Sequence, residues 1–148
     1  LAAAVRHGHP LSLVMFDVDR FKVINDAHGH LAGDTVLKDL ANRIKPRIRR
    51  EDLFARYGGE EFACVLLCTP LAGAIAFAEN LRTIIAQDTS QFDGESIAVT
   101  ISLGVGTVHN EGKVDVNTLI KRADENLYLA KRGGRNRVVP SATGGGAV

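Results

Sequence analysis

Two acidic segments of this chain carry residue types that bind divalent cations. Asp17 and Asp19 close an apolar run, and Glu60 and Glu61 directly follow a Gly-Gly pair. Neighbouring residues of a strand point to opposite faces, so one glutamate can face a site while the other faces away. If the two segments pair in one sheet, Asp17 and one glutamate converge. With a free backbone carbonyl they would form a hard-oxygen site suited to Mg²⁺, which also accepts phosphate oxygens.

The Gly58-Gly59 pair has two possible uses. The stretch "RYGGEEF" predicts a hairpin with a two-residue turn, because glycine adopts a positive φ without strain. The missing Cβ atoms would also let a phosphate or nucleotide lie against the backbone. On spacing alone, a surface hairpin with solvated glutamates is the competing interpretation.

Basic and amide side chains are further candidates for nucleotide binding. Lys131 and Arg135, in "KRGGRN", lie around a predicted helix end. Cations there either complement the helix dipole or clamp a triphosphate. Asn25 and Asp34 offer an amide and a carboxylate, which can read the edge of a guanine. Their alternative roles are a helix-end residue and a helix cap.

Hydrophobic periodicity positions these residues on a mixed pattern of strands and helices. The predicted order is β-α-α-β-β-α-β-α-β, with strands over residues 11–19, 52–57, 61–67, 96–108 and 137–139. Asp19, Asp34 and Thr69 are the predicted N-caps, and Pro46 should end its helix near Lys45. Helices that connect strands around one hairpin predict an α/β (α+β) fold, in which a central mixed sheet is covered by helices.

Composition narrows the function class. The chain has 148 residues, is 45% hydrophobic and carries a net charge of +1, so we expect no nucleic-acid partner. No apolar run reaches the roughly 20 residues that a membrane span needs, so we expect no membrane contact by this domain. Cys64 and Cys68 would lie about 13 Å apart on one strand, too far for a disulfide. Buried free thiols in a reducing, cytoplasmic compartment are therefore expected.

Four segments together resemble a known family. "FDVDRFKVINDAHGHLAGD", "RYGGEEF", "VTISLGVG" and "RADENLYLAKRGGRN" are similar, in order and spacing, to the GGDEF domain of diguanylate cyclases, in its GGEEF form. The similarity implies a GGDEF domain over residues 10–139. Residues 1–9 are then predicted as the end of a helix from a longer protein, and residues 140–148 as a flexible tail.

The resemblance implies a palm-like sheet, similar to that of nucleotidyl cyclases, and a reaction. Two GTP molecules would condense to cyclic di-GMP with release of two pyrophosphates. Two divalent ions, Mg²⁺ or Mn²⁺, would serve each half-site, and two copies of the domain would meet as a homodimer. An upstream sensor domain is expected, whose signal the sequence does not identify.

The resemblance also assigns roles to residues. The positions that resemble the metal ligands are Asp17, the backbone carbonyl of Val18 and Glu60. The resemblance leaves two roles open for Glu61, structural support and a part in activating the 3′-hydroxyl. The positions that resemble GTP contacts are Phe21, Lys22, Asn25, Asp34, Gly58, Gly59, Lys131 and Arg135.

A product-inhibition site is implied by the Arg-x-x-Asp spacing of Arg49 and Asp52, where cyclic di-GMP would bind. Without the resemblance, an exposed ion pair is the simpler interpretation. Family members often carry a further inhibitory arginine where this chain has Asn80, and Arg82 is expected on a different helix face. We therefore expect product inhibition that is weaker than usual or that relies on other groups.

Two alternatives compete with the cyclase. A non-catalytic GGDEF-like module could bind GTP or cyclic di-GMP, although such modules commonly lack the metal-binding acids that are present here. A cyclase acting on ATP is disfavoured by the Asn25 and Asp34 pair.

Overall fold

The computed structural model describes residues 9–109 and 116–143, which form one sheet with helices on both faces and a separate small hairpin. The strands are β1 (Leu11–Val18), β2 (Leu53–Arg56), β3 (Glu61–Leu67), β4 (Thr89–Phe92), β5 (Glu95–Ala98), β6 (Ile101–Val108) and β7 (Val138–Thr143). The helices are α1 (Phe21–His28), α2 (His30–Ile44), α3 (Leu71–Gln87) and α4 (Val116–Arg132), with a 3₁₀ turn at Lys45–Arg47.

β1 is the centre of the five-stranded sheet, whose order is β2-β3-β1-β6-β7. It pairs antiparallel with both β3 and β6, while β6 and β7 are parallel. All eight residues of β1 are buried, as its unbroken apolar run predicts. The predicted mixed sheet covered by helices is confirmed.

Alternate residues of β1 serve two different cores. Val14 and Phe16 belong to the cluster that packs under α2 and α3. Leu13 and Met15 belong to a second cluster that contains Leu119, Ala123 and Leu127 of α4. Because side chains alternate along a strand, the residue after Phe16 points to the α4 face.

A glycine of β6 lets α4 lie directly on the sheet. A Cβ atom added to Gly104 would lie 2.1 Å from the Ala123 carbonyl oxygen and 2.2 Å from the Leu127 amide nitrogen. Any side chain at this position would push the helix away, so the position of α4 depends on this residue.

The predicted strand over residues 96–108 is wrong in its first half. β5 ends at Ala98 and pairs with β4 in a separate hairpin, which the sequence interpretation missed, and β6 begins at Ile101. Asp93 and Gly94 form the turn of this hairpin with φ values of 52° and 80°. A left-handed Asp-Gly turn is typical of short hairpins.

All three predicted N-caps are wrong. α1 begins after Arg20, α2 after Gly29 and α3 after Pro70, and none of these ends has a side-chain capping bond. The predicted end of α2 near Lys45 is confirmed, because α2 stops at Ile44 before the Pro46 turn.

Other expectations have mixed outcomes. Cys64 is buried as expected and burial raises the pKa of its thiol, but Cys68 is exposed because it follows the end of β3. β7 continues to Thr143, four residues into the segment predicted as a tail. Residues 1–8 of the predicted N-terminal helix lie outside the described residues. Within the described ranges, no helix combines the length and apolar character of a membrane span.

Candidate active site

Asp17 lies where β1 meets the end of α4. Its position on the α4 face of β1 brings it to Lys131 in the last turn of that helix, and the Lys131 ammonium contacts Asp17 Oδ2. The side chain of Asp17 is only 4% exposed, whereas that of Lys131 is 36% exposed. This contact joins two segments that are 114 residues apart in the sequence.

The Asp17 carboxyl group is only partly satisfied. Its Oδ1 atom is buried and has no hydrogen-bond partner among the described residues. Burial raises the pKa of Asp17 from 3.8 to about 6; Lys131 opposes that change, and the nearby Glu61 and Glu60 add to it. A buried carboxylate with a free oxygen is suited to receive a cation.

A single cavity of about 190 Å³ collects most of the predicted site. It is lined by Asp17, Val18, Asp19, Arg20, Phe21, Lys22, Glu60, Lys131 and Arg135. Asp19 was expected as a helix cap, and seven of the other lining residues were candidates from the sequence. Arg20 was not, and the left-handed backbone that makes it unusual, with φ of 55°, has no signal in the sequence.

The hairpin differs from the predicted two-residue turn. Tyr57 donates its amide to the Glu61 carbonyl at 2.8 Å, which leaves three residues, 58–60, in the turn. Neither Gly58 nor Gly59 has a positive φ. The turn is instead held by Arg56, whose guanidinium donates to both glycine carbonyl oxygens, and this role was also missed from the sequence.

Glu60 and Glu61 are placed differently around Asp17. Glu61 lies directly opposite Asp17 across the β1–β3 pairing, while Glu60 lies in the turn and lines the cavity. The Val18 amide donates to the Glu60 carbonyl at 3.4 Å, which ties the turn to β1. A Cβ atom on Gly59 would meet no atom within 4 Å, so the outer side of the turn is open.

The residues present fit a divalent cation only with help from a ligand. No group of three or more His, Cys, Asp or Glu side chains could hold a metal ion within the described ranges. Asp17 and Glu60, with the Val18 carbonyl, would hold such an ion, and Oδ1 of Asp17 is free to do so. The remaining positions suit phosphate oxygens and water, as is usual for Mg²⁺.

Asp19 fixes the loop that carries Arg135, instead of capping α1. Its carboxylate accepts hydrogen bonds from the hydroxyls of Thr100 at 2.7 Å and Ser102 at 2.6 Å, and from the Asn136 amide at 3.0 Å. Asp19 is 8% exposed and fully engaged, so it is a less suitable metal ligand than Asp17.

The two predicted guanine-reading residues lie on either side of the junction of α1 and α2, Asn25 near the end of α1 and Asp34 in the first part of α2. Asn25 Oδ1 lies only 1.9 Å from where a Cβ atom on Gly33 would be, one residue before Asp34. This Oδ1 atom is buried without a hydrogen-bond partner among the described residues, while Asp34 is exposed. Asp34 lines a groove of about 470 Å³ with Phe54 and Phe62. The junction therefore offers one unpartnered buried amide oxygen and one exposed carboxylate that faces an open groove.

Phe21 and Lys22 differ in how they meet the cavity. Phe21 is half-buried, packs on the core and comes within 3.0 Å of the Gly33 Cβ position, so it links the two regions. Lys22 is exposed and forms an ion pair with Asp26 at 3.2 Å.

The predicted inhibition residues lie away from the cavity, beyond the opposite end of β3. Arg49 donates to both carboxylate oxygens of Asp52 at 2.8 and 3.0 Å, to the Leu67 carbonyl at 2.9 Å and to the Thr69 hydroxyl at 2.8 Å. The Asp52 side chain is 1% exposed. In this conformation the pair is an internal clamp between the β2 approach and the end of β3.

Comparison with known proteins gives a consistent family assignment. Residues 1–137 match the family model described as "Diguanylate cyclase, GGDEF domain". The chain is 45% identical over 131 residues to diguanylate cyclase A of Treponema denticola, covering 88% of this chain and 35% of that protein. It is 44% identical over 137 residues to the response regulator PleD of Caulobacter vibrioides, covering 91% and 30%. The chain thus spans about a third of the length of these relatives.

Solved structures agree with this assignment. The GGDEF domain of DgcB from Caulobacter crescentus, in complex with c-di-GMP, matches with a TM-score of 0.87 at 32% identity, covering 94% of this chain and 82% of that one. The active GGEEF domain of a diguanylate cyclase from Vibrio cholerae matches with a TM-score of 0.86 at 37% identity, covering 97% and 90%.

Proposed function

The chain belongs to the GGDEF family of diguanylate cyclase domains, and we propose that it condenses two GTP molecules into cyclic di-GMP with release of two pyrophosphates. The observation that carries this proposal is the cavity in which the free Asp17 oxygen, Glu60, Lys131 and Arg135 come together. Acids of this kind beside cations suit a triphosphate with its divalent ions.

The residues around the cavity would bind the divalent ions and the phosphates. Asp17, the Val18 carbonyl and Glu60 would hold Mg²⁺ or Mn²⁺, two ions per half-site. Such ions, when bound, lower the pKa of an attacking hydroxyl and offset the charge on the leaving pyrophosphate. Lys131 is exposed enough to turn from Asp17 to a phosphate oxygen, beside Arg135.

Base recognition would come from the α1–α2 junction. Asn25 and Asp34 would hydrogen-bond the guanine edge, and the free Oδ1 of Asn25 supports this role. The exposed Lys22 would approach the phosphates, and Phe21 would support both regions from the core. A site that leaves a polar atom unpaired until its ligand binds discriminates strongly against ligands that cannot pair it.

Catalysis would require two copies of this domain. The cavity can hold one triphosphate, so the second GTP would come from a partner that faces it across a two-fold axis. Most of the rate would then come from holding the 3′-hydroxyl of one GTP against the α-phosphorus of the other. The upstream sensor domain expected in the full-length protein would control how the two copies meet.

We further propose product inhibition at Arg49 and Asp52. Arg49 Nη1 has no hydrogen-bond partner within the described ranges and its side chain is 48% exposed, so it can bind phosphate or a guanine acceptor. A contact between Asp52 and guanine would require the buried carboxylate to leave Arg49. The DgcB domain was crystallised with c-di-GMP, which supports product binding by this fold.

The proposal is tested by an assay on the chain fused to a dimeric coiled coil, with GTP and Mg²⁺. Glu60→Gln should lower cyclic di-GMP formation on the order of 100-fold or more, because it removes an anionic ligand of the proposed divalent ions. Glu125→Gln, the same change at an exposed position of α4, should leave the rate unchanged. GTP binding without product formation by the wild type would instead support the non-catalytic receptor.

A further inference from the structure

The loop between α4 and β7 holds Arg135 in a strained conformation. Arg135 and Asn136 have φ values of 64° and 44°, both in the left-handed region. Residues other than glycine rarely adopt this conformation, and two in succession persist only where the surroundings fix them. The contacts that fix this loop therefore decide where the Arg135 side chain points.

The inner side of the loop is anchored to the sheet. The Arg135 amide donates to the Ala130 carbonyl at 3.0 Å, and the Asn136 amide donates to Asp19 at 3.0 Å. Asp19 is itself fixed by the hydroxyls of Thr100 and Ser102. Arg137 Nε also donates to the Arg135 carbonyl at 3.1 Å. These bonds fix the backbone of the loop but do not hold the side chain of Asn136.

The outer side of the loop is held by Arg82 of α3. Arg82 Nη1 donates to Asn136 Oδ1 at 3.1 Å, across 54 residues of sequence. Its Nε and Nη2 atoms donate to Glu79 Oε2 at 3.2 and 2.9 Å, so the guanidinium is fixed in orientation before it reaches the loop. A planar guanidinium held along one edge presents its remaining N–H groups in a defined direction.

The residues that pack α3 against the core are different from the one that makes this contact. The buried face of α3 is formed by Ala74, Ala78, Leu81 and Ile85. The Arg82 side chain is 26% exposed, and among the described residues its polar atoms bond Glu79 and Asn136 alone. Removing the guanidinium should therefore loosen the loop more than it loosens the helix.

We propose that Arg82 is a positioning residue: through Asn136 it keeps Arg135 directed into the cavity, where Arg135 binds the terminal phosphates of the nucleotide. The identity of that ligand rests on the function proposed above. Arg82 itself touches neither substrate nor reacting atoms, so its effect should appear in phosphate affinity and disappear when Arg135 is absent.

The test measures the affinity of the chain for pyrophosphate with Mg²⁺ by calorimetry. Arg82→Met should weaken binding by about threefold to tenfold, a coupling typical of residues in one hydrogen-bond network. The same substitution in an Arg135→Ala background should weaken binding no further. Arg50→Met, which removes an exposed arginine outside the cavity, serves as the charge-matched control and should bind as the wild type does.

Thermal unfolding of each variant separates positioning from loss of structure. Unchanged affinity in Arg82→Met, or equal losses in the two backgrounds, would overturn the inference, as would a wild type that does not bind pyrophosphate. Pyrophosphate binding can be measured without turnover. A wild type that binds pyrophosphate but forms no cyclic di-GMP would therefore contradict the proposed function, while the role of Arg82 would still be decided by the affinity of Arg82→Met.

Discussion

The Lys131–Asp17 and Arg49–Asp52 pairs each join a partly exposed cation to a buried carboxylate. The acid side chains are 4% and 1% exposed, and the cations 36% and 48%. Asp52 accepts hydrogen bonds at both oxygens, from Arg49 and from the Leu67 amide. Asp17 leaves Oδ1 without a partner among the described residues.

This difference distinguishes an acid whose two oxygens are both hydrogen-bonded within the protein from an acid with one oxygen left for the cation proposed above. A buried polar atom without a hydrogen bond costs about 1–3 kcal/mol, so it persists where function requires it. The pKa values follow the same division. Burial raises the pKa of Asp17, whereas the bond to Asp52 raises the pKa of Arg49 and so strengthens the charged form of that pair.

The largest predicted effect is at the Lys131–Asp17 pair. Asp17→Asn should reduce cyclic di-GMP formation on the order of 100-fold or more, because the neutral amide is a poor ligand for a divalent ion. Its free energy of unfolding should stay equal to that of the wild type or rise, since a poorly satisfied buried charge is removed. Turnover and urea unfolding measured on the same preparation check this. A variant that loses activity only in proportion to unfolded protein would contradict it.

The Arg49–Asp52 pair should give the opposite result, a loss of stability. Asp52→Ala should lower the free energy of unfolding by roughly 2–3 kcal/mol, because it leaves the Leu67 amide and the Arg49 guanidinium without their acceptor. Glu51→Gln is the control. Glu51 lies 3.8 Å from Arg49 on the exposed side, and such pairs contribute less than about 1 kcal/mol.

Turnover by Asp52→Ala in the absence of product should follow the fraction of folded protein. Its inhibition by added cyclic di-GMP should weaken if Arg49 and Asp52 bind the product. If chemical denaturation shows unchanged stability for Asp52→Ala, the Arg49–Asp52 pair does not stabilise the fold.

The raised pKa of Asp17 predicts a specific pH dependence. The folded state holds the proton up to about pH 6 and the unfolded state only to 3.8, so the folded state binds more protons between these values. The contribution of the Asp17 carboxyl group to the free energy of unfolding is therefore fully present below about pH 4 and is lost as pH rises through about 6. The change is on the order of 1–3 kcal/mol. Turnover should change in the other direction, because cation binding needs the ionised carboxylate.

Denaturation curves between pH 4 and 8 for wild type and Asp17→Asn test this directly. The difference in free energy of unfolding between the two should shift in favour of the variant as pH rises through about 6. A constant difference across this range would mean that Asp17 titrates as an ordinary surface acid.

The sequence predicted the elements where periodicity was long and clear. The apolar residues of "VNTLIKRADENLYLAKR", residues 116–132, recur at helical spacing, and α4 has the same bounds. The β4–β5 hairpin was missed because its strands are short, although Asp93-Gly94 is a recognisable turn signal. The cap prediction at Asp19 failed because a tertiary contact engages its side chain. Aspartate is a suitable residue type for a cap, but here its carboxylate accepts a hydrogen bond from Ser102, far along the chain.

The site was predictable in its residue types and not in its contacts. Acids and cations could be assigned from motifs, but the meeting of Asp17 with Lys131 depends on α4 lying against Gly104. The roles of Arg56 and Arg82 depend on side-chain directions in a turn and on a helix. Such contacts between distant segments leave no periodic or local pattern from which to predict them.

Gly33→Ala gives the smallest predicted effect and tests Asn25 Oδ1, which, like Asp17 Oδ1, has no hydrogen-bond partner among the described residues. The new methyl group would lie 1.9 Å from this oxygen and 3.0 Å from Phe21 Cζ, so the amide must turn away. GTP affinity should fall by about threefold to tenfold, as expected when a buried partner for a base is lost. Pyrophosphate affinity should change little, since the new methyl group reaches only the tip of the Phe21 ring and none of the charged residues that line the cavity around Asp17. Because alanine favours a helix by about 1 kcal/mol over glycine, stability should hold. Gly73→Ala, another helical glycine, is the control, and an equal loss of affinity for both ligands would show that the substitution disturbs the whole site.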